Sequence, residues 1–499
     1  MRKDVILILL CFLAGVILFT NLGNIYLWQD EATTAVLGRN TLHFGIPKAF
    51  DGKNLIVNIY EDPCKDKGWK YAPWFQFYLT AGSFWLLGET TFAARFPFAI
   101  FGFGAALLCF LLAERLFKNR LVSRLACAFM VFSSVFFLYM RQCRWYSLTT
   151  FFTLWLLVSY LSIVKSKKKA ALGFVLSAVF LFHSNYGIFF PVFAGVICHF
   201  FIFNRNNIRA IGIRKILFCL FIITILTLPF LLYFGSVEYS GKITFERIED
   251  HLEFYFRSLN KYIFPIGFLF FSLTFFSFFR KRVFPILGKP LDRQNLWLLI
   301  YVIISTIIFL LLADERQLRY VVHLLPLFSI ILGVLIVGWL KINKVAALLI
   351  FVIVCFTNIF NRGSLSRDKL SIHPVNIVQE LTHDYDGPVE GIVKFLNQEA
   401  KPTDTVKLIY GDYATIFYTN LRVDNRCFNC KTFPEWIVIR NDWFPLEKLD
   451  KDYLREINQR YQKIILDYPD IMWENRPDPG YHKFKTVSNW PLVIIYKKK

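Results

Sequence analysis

The sequence predicts a polytopic α-helical membrane protein with a small C-terminal α/β or α+β domain. Three observations carry this. Hydrophobic residues make up 56% of the 499 positions and charged residues 19%, too little polar surface for a soluble chain of that length. The apolar residues gather into long recurring runs, and these do not alternate as the strands of a lipid-facing barrel would. From Asn361 onward the composition turns polar and mixed.

The first run, 5–22, follows Arg2 and Lys3 and has no small-x-small site before Trp28, so it is read as an uncleaved first span. About ten further spans follow, making about eleven at roughly 20 residues each: 92–113, 122–140, 147–164, 170–184, 187–203, 216–234, 262–279, 296–313, 321–340 and 345–360. With the N-terminus inside, the cytoplasmic loops read ERLFKNRL, KSKKK, NRNNIRAIGIRK, RKRVFPILGKPLDRQN and KINK, all net basic. The opposite loops carry mixed charge, as the positive-inside rule requires. Counting 71–88 (YAPWFQFYLTAGSFWLLG) as a span would reverse every later loop. Its aromatics suit an amphipathic or re-entrant helix at the outer interface. The first outer loop is then 23–91, and the domains are a membrane module, 1–360, and an extracytoplasmic domain, 361–499. Within the latter, 391–420 reads as helix, turn at Lys401–Asp404, strand and helix. Ile464–Leu466 and Leu492–Tyr496 are further strand candidates.

The formal charge of +21 would suit nucleic acid, but the basic residues sit in short loops between spans, where they orient the chain. No Walker or dinucleotide glycine motif is present. Most of the ten cysteines lie in apolar runs, as small hydrophobes. Cys427 and Cys430 form a CxxC in the polar tail, where an oxidising compartment favours a local disulfide over a redox motif, and a lone CxxC without two further ligands is a weak zinc signal.

Charged and polar residues at span ends are functional candidates. On the outer face the topology collects Asp30 and Glu31 after the first span and Arg95 at the second. Arg141, Arg144 and Tyr146 lie in FLYMRQCRWYSL. His183, Asn185 and Tyr186 lie in FHSNYG, and Arg319 and Tyr320 in ADERQLRYVVHLLP. A carboxylate can deprotonate an attacking hydroxyl or amine. Arginine forks bind phosphate and offset charge on a leaving phosphate. Together these fit group transfer from a lipid phosphate to an acceptor outside the cytoplasm. Simpler roles exist for each residue: interfacial arginines anchor, His183 ends a helix, and acids favour a helix start.

These same residues carry a resemblance. LWQDEATTAVLGRNTLHFGIPKAFDG, then Pro73, Tyr78, Gly88, Ala94, Arg95 and Pro97, then FLYMRQCRWYSL, HSNYG and ERQLRYVVHLLP follow one another in order. The string resembles the GT-C membrane glycosyltransferases, specifically the protein mannosyltransferase-like group of glycosyltransferase family 39, to which a lipid A aminoarabinose transferase is related. It covers about 1–330. The resemblance implies inverting transfer of a sugar from a polyprenyl-phosphate donor. Asp30 would be general base, and Glu31 would orient the acceptor or support Asp30. Arg141, Arg144, Arg319 and Arg95 would contact donor phosphate, as would Lys70 before its Pro-containing stretch. Tyr146 and Tyr320 would line the site. Gln142 stands where the family often has Glu, so no metal is assigned, and no cofactor beyond the lipid-linked donor. Expected partners are that donor, membrane lipids and a glycan, lipid or protein acceptor. The expected location is a bacterial inner membrane. The alternative function is a transporter or flippase of lipid-linked glycans, although no paired repeats or broken helices mark a midplane site.

Overall fold

The computed structural model describes residues 4–56, 68–165, 167, 169–205, 208, 212–234, 243–279, 290–361, 370–382, 387–425, 431–442, 448–472 and 475–499. Cys427 and Cys430 lie outside the described residues. In chain order the helices are α1 (Val5–Phe19), α2 (Gln29–Phe44), α3 (Phe75–Leu87), α4 (Thr91–Phe117), α5 (Arg120–Val131), α6 (Ser134–Tyr139), α7 (Tyr146–Val164), α8 (Ala170–Ser184), α9 (Tyr186–His199), α10 (Ile213–Phe234), α11 (Phe245–Ser258), α12 (Ile266–Phe278) and α13 (Pro290–Leu311). A 3₁₀ turn (Leu318–Leu324) leads into α14 (Leu325–Ile342), followed by α15 (Lys344–Phe356), α16 (His373–Thr382) and α17 (Pro388–Glu399). The last part is β1 (Thr405–Leu408), α18 (Asp412–Tyr418), β2 (Arg422–Asp424), β3 (Trp436–Ile439), α19 (Lys451–Arg460), β4 (Tyr461–Pro469) and β5 (Leu492–Lys498). Two compact units emerge: residues 1–20 with 98–378, and residues 21–97 with 379–499.

The first unit is helical and apolar. Among the described residues, six helices of the chain are long and apolar enough to cross a bilayer, or seven if the pair Phe245–Ile263 and Ile266–Phe278, bent by 78°, counts as one span. Three more apolar helices, α1, α8 and α15, are shorter. The chain is a multi-pass membrane protein, with fewer full-length spans than the eleven expected. One reason is visible at 122–140, read above as a single span. It is divided between α5 and α6 at Ser133, whose backbone is extended (φ −71°, ψ 134°). Ser133 takes the N-cap position of α6 by its backbone alone, without a side-chain capping hydrogen bond. Asparagine side chains cap α5, α9 and α15, where Asn119, Asn185 and Asn343 accept from first-turn amides. Buried hydroxyls find acceptors one turn back: Thr150 donates to Tyr146 O at 2.9 Å and Ser329 to Leu325 O at 2.8 Å. Trp339 stacks on Phe271 and Phe275 and donates to Ser272 Oγ at 3.0 Å, so its one polar group is satisfied inside an apolar core.

The second unit joins the segment after α1 to the chain's end. Its mixed five-stranded sheet has the order β2-β1-β3-β5-β4. β1 runs parallel to β2 and β3, and β5 antiparallel to β3 and β4. Central β3 (WIVI) is buried at every position, the pattern of a strand covered on both faces. Edge strand β4 exposes Gln462 and Lys463, which blunts its free edge. Tyr453 and Ile457 of α19 pack with Ile437, Ile439, Leu449, Tyr461 and Tyr496 to form the sheet's core. In the same unit α2 packs on α3 so closely that a Cβ on Gly38 would lie 2.6 Å from Thr80 Cγ2. At 13 residues, α3 is shorter than a span needs. It buries Phe77, Ala81 and Phe84 and exposes Trp85 and Leu86.

Candidate active site

The two adjacent carboxylates occupy the first turn of α2, next to the positive end of the helix dipole. Their environments diverge. Glu31 is fully buried and Asp30 half-buried. Arg95 Nε donates to Glu31 Oε1 at 2.8 Å and Nη2 to Oε2 at 2.7 Å, a two-pronged pair. The remaining donors of Arg95 reach the carbonyls of Leu22, Ile25 and Tyr26 at 3.1, 2.8 and 3.3 Å. These carbonyls belong to the irregular chain entering α2, which has no regular ladder to satisfy them. Arg95 therefore has all of its N–H groups engaged in holding Glu31 and this entry segment. That leaves none for the donor phosphate expected of it above.

Lys70 lies half-buried in the segment before α3, next to Trp69, whose carbonyl accepts from Trp74 Nε1 at 2.6 Å. Sequence reasoning passed over Gln29. Its side chain meets Gly411 and Asp412, more than 380 positions away in the chain. No local pattern could signal that pairing.

In the membrane unit, Arg141 and Arg144 sit in the turn between α6 and α7. Arg141 is buried, and its Nη2 donates to Thr20 O at 2.8 Å, at the end of α1. The turn is closed by Arg144 N donating to Gln142 O at 2.7 Å. Tyr146 opens α7, fully buried, its ring edge-on to Tyr139 and Trp145. Trp145 stacks on Tyr320 with centroids 6.1 Å apart. The neighbouring Arg319 lies over the Tyr320 ring and 3.9 Å from Glu315. Thus the α6–α7 turn and the segment before α14, separated by 175 positions in numbering (145 to 320), are joined by an aromatic stack. Arg141, Arg144, Tyr146, Arg319 and Tyr320 share one neighbourhood.

His183, Asn185 and Tyr186 serve the α8–α9 corner. His183 Nε2 is 3.0 Å from Leu226 O, and its ring abuts Phe230, tying α8 to α10. Asn185 caps α9 by accepting from Ile188 N at 3.2 Å, and Tyr186 packs near Phe182. Among the described residues no three His, Cys, Asp or Glu side chains gather as a metal-ligand set.

Residues 71–233 match the family model of dolichyl-phosphate-mannose-protein mannosyltransferase. No curated protein sequence matches the chain. Solved structures resemble it along nearly the whole length. Apo ArnT from Cupriavidus metallidurans superposes with a TM-score of 0.58 at 12% identity, over 98% of this chain and 97% of that one. ArnT bound to undecaprenyl phosphate gives 0.54 at 12%, over 99% and 98%. The Archaeoglobus fulgidus oligosaccharyltransferase AglB, in complex with an inhibitory peptide and a dolichol-phosphate, gives 0.53 at 10%, over 94% and 74%. The chain has the GT-C fold, in line with the resemblance read from its motifs.

Proposed function

We propose that this protein is an integral-membrane glycosyltransferase. It moves a sugar from a polyprenyl-phosphate donor to an acceptor on the extracytoplasmic face, with inversion and with Asp30 as general base. The observation that carries the assignment of the base is the divergence of the two acids. Glu31 is sealed against Arg95 and fully buried, whereas Asp30, one residue earlier on the same turn, is only half-buried. The match over residues 71–233 and the undecaprenyl-phosphate and dolichol-phosphate complexes of structural neighbours support a lipid-phosphate donor.

In this mechanism the Asp30 carboxylate takes the proton of an acceptor hydroxyl or amine as that group attacks the anomeric carbon. The bond from that carbon to the phosphate oxygen breaks, and the electron pair leaves with the polyprenyl phosphate. Arg141, Arg144 and Arg319, with Lys70, offset the charge developing there. Arg95 acts only through Glu31. Tyr146 and Tyr320 shape the arginine neighbourhood, while His183, Asn185 and Tyr186 brace the α8–α9 corner. A bacterial inner membrane, with residues 361–499 outside the cytoplasm, suits a donor of this kind.

The test is Asp30→Asn in proteoliposomes supplied with a polyprenyl-phosphate sugar. Loss of a general base lowers turnover about 10²–10⁴-fold, with donor binding and thermal stability retained. Full turnover by correctly inserted Asp30→Asn protein refutes the assignment. Movement of intact lipid-linked sugar across the bilayer, without bond cleavage, would replace it with transport.

A further inference from the structure

Gln29 is the first residue of α2 and the immediate neighbour of Asp30. Its side-chain amide is gripped at both atoms by the turn between β1 and α18. Nε2 donates to Asp412 Oδ1 at 2.6 Å, and Oε1 accepts from Gly411 N at 2.8 Å. Gly411 has φ 94°, a left-handed conformation that aims its N–H at Gln29 and that glycine adopts without strain. Asp412 is buried, and its second oxygen accepts from Asn425 Nδ2 at 2.7 Å. The side-chain donors to this carboxylate are thus Gln29 and the residue following β2, beside backbone donors of its own helix start at Asp412 and Tyr413.

The location in the sheet is informative. β1 lies between β2 and β3 in the parallel part, so the chain leaves β1 toward one neighbour and later adds the other on the opposite side. In open α/β sheets the crevice at the carboxyl ends of such strands is where ligands bind. Here that turn holds a side chain of the protein's own first loop.

The grip extends to both sides of Gln29. Upstream, Leu27 N donates to Tyr418 Oη at 3.0 Å and Tyr26 stacks on the Tyr418 ring at 4.2 Å. Downstream, Arg39 donates to the carbonyls of Ile416 and Phe417, the last turn of α18, at 3.1 and 3.4 Å. Residue 29 is thus fixed by α18 and its preceding turn, and residue 31 by Arg95. Asp30 lies between two pinned neighbours.

We propose that Gln29 and Asp412 are positioning residues for Asp30, and that the C-terminal domain is a working part of the catalytic loop. The inference rests on the reading of Asp30 as general base. A base displaced by about 1 Å loses on the order of 10²-fold in rate, so a side chain that sets the backbone one residue away affects turnover without touching substrate.

The experiment exchanges donor and acceptor. Full-length Gln29→Glu, Asp412→Asn and the double variant are reconstituted and assayed with saturating polyprenyl-phosphate sugar, alongside Asp30→Asn. Gln29→Glu sets carboxylate against carboxylate, and Asp412→Asn sets amide donors against one another. In the double variant Asn at 412 donates to Glu at 29, Gly411 N–H donates to the other oxygen, and Asn425 finds the new amide carbonyl. The expected result is a kcat loss of about 10–100-fold in each single variant at unchanged donor KM, with recovery of most of it in the double. A role confined to folding would lower yield and melting temperature and leave kcat per folded molecule unchanged; that result overturns the proposal, as does a double variant no better than the singles. If Asp30→Asn is inactive while Gln29→Glu is fully active, only this proposal falls. If Asp30→Asn is fully active, both readings fall.

Discussion

Replacing Glu31 with alanine separates the structural acid from the catalytic one. The substitution leaves the Arg95 guanidinium in place, 7% exposed, with its charge uncompensated and the two donors formerly on Glu31 unpaired. Two charge-assisted hydrogen bonds at about 1.5–3 kcal/mol each give about 3–6 kcal/mol. Measured costs of breaking a buried ion pair from one side give about 3–5 kcal/mol. The two agree, and about 3–5 kcal/mol corresponds to an opening equilibrium shifted roughly 10²- to 4,000-fold. Unfolding of a membrane protein is commonly irreversible, so the fitting assay is native-state hydrogen exchange in a nanodisc, read at the amides of residues 22–34. Those amides should exchange faster by that factor in Glu31→Ala and stay near the parent rate in Asp30→Asn. A double Glu31→Ala/Arg95→Ala variant should lose less than the sum of the singles, by at least about 1 kcal/mol of coupling. Exchange accelerated less than about fivefold in Glu31→Ala, or equally in Asp30→Asn, would refute the division of roles between the acids.

Two other outcomes follow from the same unit. Gly38→Ala places a methyl 2.6 Å from Thr80 Cγ2 and should cost about 1–3 kcal/mol by forcing α2 from α3, seen as faster exchange across both helices. Burial raises the Asp412 carboxyl above its ordinary value of 3.8, against the donors on Gln29 and Asn425. A raised native pKa means the folded state holds the proton more tightly. Stability of the C-terminal domain contributed by this group is greatest below the ordinary value and declines as pH rises through the raised one. Melting temperature followed across that acid range should show the decline in the parent protein and lack this component in Asp412→Asn.

Much of the architecture was legible along the chain because its causes are local. A bilayer demands long apolar runs whose backbones satisfy themselves, so helical spans and a polar tail can be read from composition and period alone. The acids after the first span, the arginine turn and the order of the motifs are likewise visible in sequence, as is the strand near Ile464. Other features were hidden because their causes are not local. The run 122–140 is uniformly apolar, yet Ser133 divides it. β3 has only four residues, too few to show a period. Arg95 reads as any interfacial arginine until three carbonyls and Glu31 converge on it. Hydropathy thus determined the membrane class and the candidate residues. Only folding decided that Glu31 is sealed, that Asp30 is only half-buried, and that Gln29 meets Asp412 from the far end of the chain. A hydrogen bond is set by distance in space, and nothing in the local pattern around either partner records it.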